Sequence, residues 1–238
     1  PLSDEDRAAL AAFVEVGVDM VAMSVNAGRD LRQLTVEPHP RGPMVIAKIE
    51  TLAAVENLPS IIEDAAGILV ARGALGREAE LEELPHLQKQ VIRDCIAGGL
   101  PVITSTQMLD SMVTAQAPTR AEATDIANAV FDGTSAVMLS AETAIGDHPA
   151  LVVETMSRIA ERSDDSFNHG SWAERVAALR MADQDHSEAA ITDAVTISAA
   201  RAAPELRVRA LLCISASGFT VRSMARFRPS AKILGFSG

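Results

Sequence analysis

The 238-residue sequence contains no tyrosine, a single tryptophan and six phenylalanines, so aromatic residues make up only 3% of the chain. A core that lacks aromatic rings must be built from aliphatic side chains and methionine. Hydrophobic residues still account for 48% of the sequence and charged residues for 22%, a composition that excludes global disorder. We therefore expect a folded chain, long enough for one large domain or for one domain and part of a second.

Basic residues are in deficit, because 21 Lys and Arg stand against 32 Asp and Glu and give a net charge of −11. Proteins that bind nucleic acids need clustered positive charge to neutralise phosphates. The composition therefore argues against a nucleic-acid partner. An acidic chain can still bind one phosphate locally, so an anionic substrate is not excluded.

Long apolar runs and cysteine clusters are also missing. No run approaches the roughly 20 apolar residues that a membrane-spanning helix needs. The first seven residues show no basic segment followed by an apolar one, as a signal peptide would. Cys95 and Cys213 lie far apart and fit no metal-ligand spacing, so we expect two small buried side chains. These absences predict a cytoplasmic protein without a membrane partner.

Apolar runs alternate with amphipathic segments through the first 165 residues. The five runs predicted as strands are 18–25, 44–49, 67–71, 101–104 and 136–140. The segments predicted as helices are 3–16, 29–36, 52–63, 85–97, 120–131 and 149–162, and a turn is predicted over 72–76. Continuous apolar strands separated by helices indicate a parallel sheet covered on both faces. Five such units in a row favour a TIM-type (β/α) barrel, incomplete with five units.

The composition changes after this part of the chain. Residues 163–185 are polar, contain Trp172 and are predicted to be a connector with one short helix. A second α/β pattern follows, with a helix over 189–202, a strand over 208–214, a helix after Gly218 and a strand over 232–236. We place a domain boundary near residue 165. Residues 1–165 would form the partial barrel and residues 166–238 a smaller α/β domain.

The predicted strand ends select candidate functional residues, because barrels of this type work at the C-terminal ends of their strands. The second strand ends in Lys48-Ile49-Glu50, and strand alternation puts Lys48 and Glu50 on the same side. One interpretation is a salt bridge at the barrel mouth. The other is a glutamate that binds a divalent cation beside a lysine that neutralises a phosphoryl group, although a single glutamate is a minimal Mg²⁺ site.

Three further strand ends carry glycines or hydroxyls. They are Ala71-Arg72-Gly73-Ala74-Leu75-Gly76, Thr104-Ser105-Thr106-Gln107-Met108 and Ser140-Ala141-Glu142-Thr143. Glycines allow a close approach of backbone N–H groups to an anion, and hydroxyls can bind a carboxylate. Each segment alone also fits an ordinary loop or a helix cap.

Taken together, these segments resemble the successive sequence motifs of the pyruvate kinase family, in the same order and with the same spacing. They are 46–50 (IAKIE), 70–73 (VARG), 104–109 (TSTQML), 118–122 (PTRAE), 125–130 (DIANAV) with 132–133 (DG), and 138–143 (MLSAET) with Gly146, Asp147 and Pro149. The resemblance extends from about Leu2 to Gly238, which is nearly the whole chain.

The resemblance implies transfer of a phosphoryl group between phosphoenolpyruvate and ADP, yielding pyruvate and ATP in glycolysis, with Mg²⁺ and usually a monovalent cation. It implies that Lys48 contacts the phosphoryl group and that Glu50 is a metal ligand. The backbone amides of 71–73 and Thr106 would hold the substrate carboxylate, so Lys48 and Thr106 are the expected catalytic residues. Positioning and charge neutralisation are most of what phosphoryl transfer requires of a protein.

Two departures from the family pattern matter. Ala74 stands where the family has an aspartate, the second carboxylate on the metal, so we expect a weakened Mg²⁺ site unless water or Glu78 substitutes. The resemblance also begins at the fourth barrel strand. The three preceding βα units and the lid domain would supply an arginine for the phosphoryl group and the monovalent-cation ligands, which this sequence lacks. We therefore expect little pyruvate kinase activity from this chain alone.

The resemblance also implies a homo-oligomer, with the helix over 120–131 near a subunit contact. The sheet edge before residue 18 would then be covered by another chain or by residues outside this sequence. In the second domain, the loop with Ser215, Ser217, Gly218 and Thr220 resembles the sugar-phosphate effector loop of some members, although a plain capped turn has the same composition. Two other functions remain open: a non-catalytic relative that binds an anion or a protein partner, and a metal-dependent decarboxylase or aldolase acting on pyruvate-like acids.

Overall fold

The structure is a computed structural model that describes residues 3–34, 36, 37, 39, 41–182 and 188–237. Its contacts divide the chain into two compact units. The first unit runs up to Cys95 and continues over Pro101–Asp165. The second unit combines Ile96–Leu100 with the chain from Ser166 onward.

A five-stranded parallel sheet forms the centre of the first unit. Its strands are β1 (Met20–Ser24), β2 (Met44–Ile49), β3 (Gly67–Ala71), β4 (Val102–Ser105) and β5 (Ala136–Met138), and their spatial order follows the sequence. All neighbouring pairs are parallel. The predicted parallel α/β sheet is therefore confirmed, and β1 and β5 are its two edges.

Helices connect these strands. They are α1 (Asp4–Val16), α2 (Gly28–Arg32), α3 (Leu52–Glu56), α4 (Leu58–Asp64), α5 (Arg72–Leu75), α6 (Leu84–Gly98), α7 (Arg120–Asp132), α8 (Ala141–Ala144) and α9 (Pro149–Asp165), with a 3-10 turn at Asp110–Val113. The sequence missed α8 and the 3-10 turn. The helix predicted over 29–36 ends at Arg32, and its position 35 lies outside the described residues.

Two other predictions for this unit were wrong in detail. The single helix expected over 52–63 is broken at Asn57, where α3 ends and α4 begins. Pro59 in the first turn of α4 has no N–H, and its ring excludes a continuous helix through the preceding turn. The segment 72–76, predicted as a turn, forms the short helix α5 over Arg72–Leu75, closed by Gly76.

Local chemistry explains where the better-defined helices begin and end. Ser3 and Asp6 form a capping box at the start of α1, and Gly17 closes that helix in the left-handed region at φ 81°. Thr119 and Glu122 repeat the capping box at the start of α7, which Gly133 closes at φ 101°. The ranges predicted for these two helices, 3–16 and 120–131, agree with the observed bounds to within one residue.

The core of the first unit is aliphatic, as the shortage of aromatic residues requires. Every residue of β3 is buried. One cluster joins Ile46, Leu69 and Ala71, and Ala74 and Ile103 pack against it. A second cluster lies under α7 and α9, and it contains Met108, Leu109, Met112, Ile126, Ala129, Val152 and Met156. By contrast, the residues of α1 are all exposed or half-buried.

The second unit contains α10 (His169–Ala182), α11 (Glu188–Glu205), β6 (Ala210–Ile214), α12 (Phe219–Ala225) and β7 (Lys232–Phe236). Strands β6 and β7 are parallel, and Leu212 pairs with Leu234. Both cysteines are free and buried, as predicted, with Cys95 in the first unit and Cys213 in β6. Burial raises the pKa of the Cys95 thiol, with a smaller contribution from the charge of Asp94.

The polar connector predicted over 163–185 was wrong where the structure describes it. Helix α9 continues to Asp165, and the 14-residue α10 follows it. The Trp172 ring is buried 5.5 Å from the Phe167 ring, and its Nε1 donates to the Arg226 carbonyl at 2.9 Å. A few apolar side chains therefore anchor a helix whose average composition is polar. Residues 183–185 of this prediction lie outside the described residues.

In the part of the chain that the structure describes, every helix is too short or too polar to traverse a bilayer.

Candidate active site

The candidate residues meet at the C-terminal edge of the first unit's sheet, which is formed by the ends of β2, β3 and β4 and is distinct from the edge strands β1 and β5. Strands β2, β3 and β4 are parallel neighbours, so their C-terminal ends lie side by side. Lys48 pairs with Leu69 in register, and Ala71 pairs with Ser105. The segments that carry Lys48, Glu50, Arg72 and Thr106 therefore leave the sheet at the same edge, as predicted.

Lys48 and Glu50 form an ion pair at the end of β2. The Lys48 Nζ lies 2.8 Å from the Glu50 Oε1, and the Ser24 hydroxyl donates to the Glu50 Oε2 at 2.5 Å. The side chains of Lys48 and Glu50 are 33% and 26% exposed, so both remain within reach of a ligand. Partial burial by itself raises the pKa of Glu50. The hydrogen bonds from Lys48 and Ser24, with the charges of Lys48 and Arg77, outweigh it and lower that pKa below its usual value.

Arg77 is a cationic residue at this edge that the sequence reasoning missed. Its Nη1 donates to the Gly73 carbonyl at 3.3 Å, and its charge is close enough to lower the pKa of Glu50. Arg77 follows α5 and no strand, so a search limited to strand ends could not select it. In the sequence, its only distinguishing feature was its position directly after the predicted turn over 72–76.

Thr106 and Gly73 are joined by a direct hydrogen bond. The Gly73 N–H donates to the Thr106 Oγ1 at 2.8 Å. A Cβ added to Gly73 would lie 3.4 Å from that same oxygen, an ordinary van der Waals contact, so the approach of the two segments does not itself require glycine. The turn after β3 and the hydroxyl after β4, selected separately from the sequence, thus come together.

The Arg72 side chain lies against the backbone of the segment that follows β4. Its Nη2 donates to the Thr106 carbonyl at 2.7 Å and to the Gln107 carbonyl at 3.1 Å. Its Nη1 donates to the Asp125 Oδ2 at 2.5 Å. Sequence reasoning selected Arg72 for its backbone amide and did not anticipate these side-chain contacts or Asp125.

Two carboxylates, those of Glu142 and Glu122, accept hydrogen bonds from backbone N–H groups of the loop that follows β4. Glu142 is 1% exposed, and it accepts hydrogen bonds from the Leu109 N–H at 3.2 Å and the Ser140 N–H at 2.8 Å. Glu122 accepts from the N–H of Ser111 at 2.7 Å and from its hydroxyl at 2.5 Å. Sequence reasoning considered the hydroxyls of segment 140–143 and missed Glu142, although an acid directly after an apolar strand was a usable indication.

The pKa of Glu122 reflects this set of donors. Partial burial on its own raises that pKa. The hydrogen bonds from Ser111 and Thr119 outweigh burial, and the pKa of Glu122 lies below its usual value. The carboxylate is therefore ionised at neutral pH and remains an acceptor for the loop.

The residues present do not fit the Mg²⁺ site that the resemblance implies. Within the described ranges, no group of three His, Cys, Asp or Glu side chains is arranged to hold a metal ion. Both oxygens of Glu50 are already engaged by Lys48 and Ser24. Glu78 instead accepts from the Leu52 N–H at 2.9 Å, and Ala74 packs against the cluster around Leu69.

A groove of about 830 Å³ opens along the β1 edge of the first unit. Its lining includes Ser24 and Asn26 together with residues of α1 and α2. Because the Ser24 hydroxyl contacts Glu50, the groove leads to the ion pair at the end of β2. No feature of the sequence predicted this groove.

The candidate effector loop lies in the second unit. Gly218 adopts the left-handed region at φ 75°, and the seven-residue α12 begins at Phe219. The Arg222 Nη1 donates to the Ser217 carbonyl at 3.2 Å. The effector role of Ser215, Ser217, Gly218 and Thr220 stays a prediction.

Comparison with known families assigns the chain. The family model described as the pyruvate kinase barrel domain matches residues 1–153, which is more than half of the sequence. The chain belongs to the pyruvate kinase family. A second family model, described as the pyruvate kinase alpha/beta domain, matches residues 193–238. The resemblance inferred from the sequence motifs, and the (β/α) barrel class inferred from the strand pattern, are both confirmed.

Individual pyruvate kinases show the same relationship. One from Bacillus licheniformis is 42% identical over 237 residues, which cover 98% of this chain and 39% of the relative. One from Clostridium acetobutylicum is 36% identical over 238 residues, which cover 98% of this chain and 49% of the relative. A crystal structure of a pyruvate kinase from Cryptosporidium parvum has a TM-score of 0.88 at 34% identity, covering 99% of this chain and 49% of the other. The chain thus spans less than half the length of these pyruvate kinases.

Proposed function

We propose that this chain is part of a phosphotransferase that moves a phosphoryl group between phosphoenolpyruvate and ADP. The observation that carries the proposal is the meeting of the Lys48–Glu50 pair and the Gly73–Thr106 pair at one edge of a parallel sheet. Membership of the pyruvate kinase family supports it. We further propose that residues 1–165 form part of the family's barrel and residues 166–238 part of its C-terminal α/β domain.

Each pair suits one end of phosphoenolpyruvate. The Lys48 ammonium is one-third exposed and is held in place by Glu50, so it can neutralise a phosphoryl group without losing its orientation. The substrate carboxylate would accept hydrogen bonds from the Gly73 N–H and from the Thr106 hydroxyl. In the structure, the Gly73 N–H donates to the Thr106 Oγ1. Arg77 adds a second positive charge at the same edge. Positioning and charge neutralisation of this kind are the main demands of phosphoryl transfer.

A binding titration with a matched control tests the proposal. We expect the chain to bind phosphoenolpyruvate and Lys48→Met to weaken that binding at least about tenfold, or about 1.4 kcal/mol. Lys89→Met is the control. Like Lys48, Lys89 forms an ion pair with a carboxylate, that of Asp132, but it lies on α6, away from the end of β2. Equal affinities for the wild-type chain and Lys48→Met would contradict the proposal.

We propose that turnover by this chain alone is low. Glu50 is the single carboxylate at the implied metal position, and Ala74 cannot act as the second. A coupled assay for pyruvate formation is expected to show a rate far below the roughly 1–100 s⁻¹ of kinases. A rate within that range would show that the departures from the family pattern do not limit catalysis.

Restoring the second acid sharpens the same proposal. We expect Ala74→Asp to strengthen Mg²⁺ binding about tenfold in a calorimetric titration, because hard divalent cations are held by oxygen ligands and the new carboxylate adds one. Ala121→Asp is the control, since it adds the same charge at an exposed position at the start of α7. A similar gain in both variants would indicate a general charge effect and would overturn the assignment of Ala74.

The proposal includes self-association, with α7 near the subunit contact. Separately from α7, the exposed side chains of Phe13 and Met20, 53% and 54% accessible beside β1, support a contact at that edge strand with another chain or with residues outside this sequence. Sedimentation velocity that gives a monomer at all concentrations would contradict the proposed self-association.

The relatives from Bacillus licheniformis, Clostridium acetobutylicum and Cryptosporidium parvum are all pyruvate kinases, so the decarboxylase and aldolase alternatives gain no support from them.

A further inference from the structure

The turn after β4 contains two consecutive residues in an unusual backbone conformation. Thr106 has a φ of 71° and Gln107 a φ of 54°, both in the left-handed region that glycine normally occupies. Neither residue is a glycine, and Thr106 is β-branched, which makes this conformation still less favourable. Such residues keep this conformation only where their surroundings impose it.

The Arg72 guanidinium is the group that contacts both strained residues. Its Nε and Nη2 lie 3.2 and 2.7 Å from the Thr106 carbonyl oxygen, and Nη2 also lies 3.1 Å from the Gln107 carbonyl oxygen. The same Nη2 is 2.8 Å from the Met108 Sδ. One planar group therefore fixes two successive carbonyls of the turn, and this fixes the direction of the peptide between them.

The remaining nitrogen of Arg72 is held by α7 and α6. Its Nη1 donates to the Asp125 Oδ2 at 2.5 Å and to the Gln88 Oε1 at 3.4 Å. Together with the contacts to the turn, all three guanidinium nitrogens face protein acceptors, and the side chain is only 14% exposed. A guanidinium offers five N–H donors in a fixed plane, so the orientation of one side of the group determines the other.

We propose that Asp125 is a positioning residue: it orients the Arg72 guanidinium, which holds Thr106 and Gln107 in the left-handed region and so sets the Thr106 hydroxyl against the Gly73 amide. This inference rests on the proposed function, in which Thr106 and the Gly73 amide hold the substrate carboxylate. Asp125 acts through Arg72 and does not itself touch the substrate. The backbone amide of Arg72 keeps its proposed contact with the substrate carboxylate. The Arg72 side chain holds the turn formed by Thr106 and Gln107.

Nuclear magnetic resonance of the ¹⁵N,¹³C-labelled chain tests the positioning directly. The backbone ¹³C shifts of Thr106 and Gln107 report on φ, and the Gly73 amide reports on its hydrogen bond to Thr106. We expect Asp125→Asn to move all three resonances away from their wild-type positions and Asp125→Glu to restore most of the change. Asp132→Asn is the matched control, because it removes the same charge from the same helix, where Asp132 pairs with Lys89.

A binding measurement connects the geometry to the substrate. We expect Asp125→Asn to weaken phosphoenolpyruvate binding about tenfold, with Asp125→Glu and Asp132→Asn within about threefold of the wild-type chain. If Asp125→Asn does not fold, Arg72→Lys replaces it. Lysine retains the charge opposite Asp125 but cannot bridge two carbonyls with a planar group, so the same loss is expected.

The two proposals fail in different ways. Unchanged resonances in Asp125→Asn and in Arg72→Lys, in a chain that binds phosphoenolpyruvate, would overturn the positioning role and leave the proposed function intact. Changed resonances in these variants, in a chain that binds no phosphoenolpyruvate in any form, would overturn the proposed function and leave the control of the turn by Asp125 intact. Equal weakening of binding by Asp125→Asn and Asp132→Asn would overturn the positioning role as well.

Discussion

The Arg72–Asp125 contact of the first unit and the arginine contacts of Asp193 in the second unit differ in exposure and in charge balance. In the first unit, Arg72 faces Asp125, whose side chain is 40% exposed. In the second unit, Asp193 is 1% exposed and lies between two guanidinium groups. Arg180 Nε and Nη2 are 2.8 and 2.7 Å from its Oδ2, and Arg226 Nη1 is 3.4 Å from its Oδ1.

The buried cluster of the second unit is incompletely satisfied. Asp193 Oδ1 and Arg226 Nε have no hydrogen-bond partner among the described residues. Burial, the largest influence, and the charge of Arg180 lower the pKa of Arg226 in spite of the attraction of Asp193. The Ala97 carbonyl accepts hydrogen bonds from both arginines, at 3.3 and 3.2 Å, which supplements the single carboxylate.

Arginine and aspartate therefore have different roles in the two units. Where the acid is half-open to solvent, each arginine nitrogen reaches a protein acceptor and the pair orients a loop. Where two cations share one buried acid, the acid mainly makes their burial possible. Breaking the first contact is therefore expected to change local geometry, whereas breaking the second is expected to unfold structure.

The largest effect is expected from Asp193→Ala. It leaves two arginines without their shared carboxylate, and removal of one partner of a buried ion pair costs about 3–5 kcal/mol. Urea unfolding followed by the fluorescence of Trp172, the only tryptophan, measures the second unit selectively. Glu174→Gln, which breaks the exposed pair with Arg201, is the control and is expected to leave the unfolding midpoint unchanged. Equal midpoints for the two variants would erase the distinction between the contacts.

A smaller effect is expected from Glu142→Gln, which tests a buried acid that is held by backbone N–H groups. The amide nitrogen of glutamine is a donor, so it would face the N–H of Leu109 or of Ser140 and leave that donor unsatisfied, at a cost of about 1–3 kcal/mol.

Hydrogen exchange at the amides of Leu109 and Ser140 measures this change, and both amides are expected to exchange faster. Glu161→Gln is the control, because Glu161 is exposed and accepts only a hydroxyl contact from Ser157 among the bonds described for its side chain. Unchanged exchange at Leu109 and Ser140 in Glu142→Gln would show that the carboxylate does not hold the loop.

The smallest effect concerns the pH dependence at Glu50. Its pKa in the folded chain is lowered, so its contribution to stability is present above the ordinary glutamate pKa of about 4.3 and is lost as the pH falls through the lower folded value. Glu50→Gln is expected to flatten the dependence of the unfolding free energy on pH below about pH 5, by less than about 1 kcal/mol. Glu82→Gln, at an exposed position, provides the reference curve. Parallel curves for the two variants would contradict the role of the Lys48 and Ser24 contacts.

Much of the fold could be predicted because its determinants are local. The bounds of β2, β3 and β7 agree with their apolar runs, and helix ends such as Ser3 and Gly17 follow from capping chemistry. The failures arose where one residue, or a few contacts, override the average pattern of a segment. Pro59 interrupts a segment whose apolar pattern is continuous, and α10 is anchored by Phe167 and Trp172 within a stretch that is polar on average.

The sequence alone determined that the chain is an aliphatic α/β protein, that Lys48 and Glu50 share one side of a strand, and that its motifs are those of the pyruvate kinase family. These conclusions depend on residue order, alternation and composition, which need no contacts between distant segments. Only the tertiary structure decided that Arg72 would meet Asp125, 53 residues away, and that Glu142 would meet the Leu109 amide, 33 residues away. Such contacts depend on how side chains from different strands and helices pack together, and no local pattern specifies that.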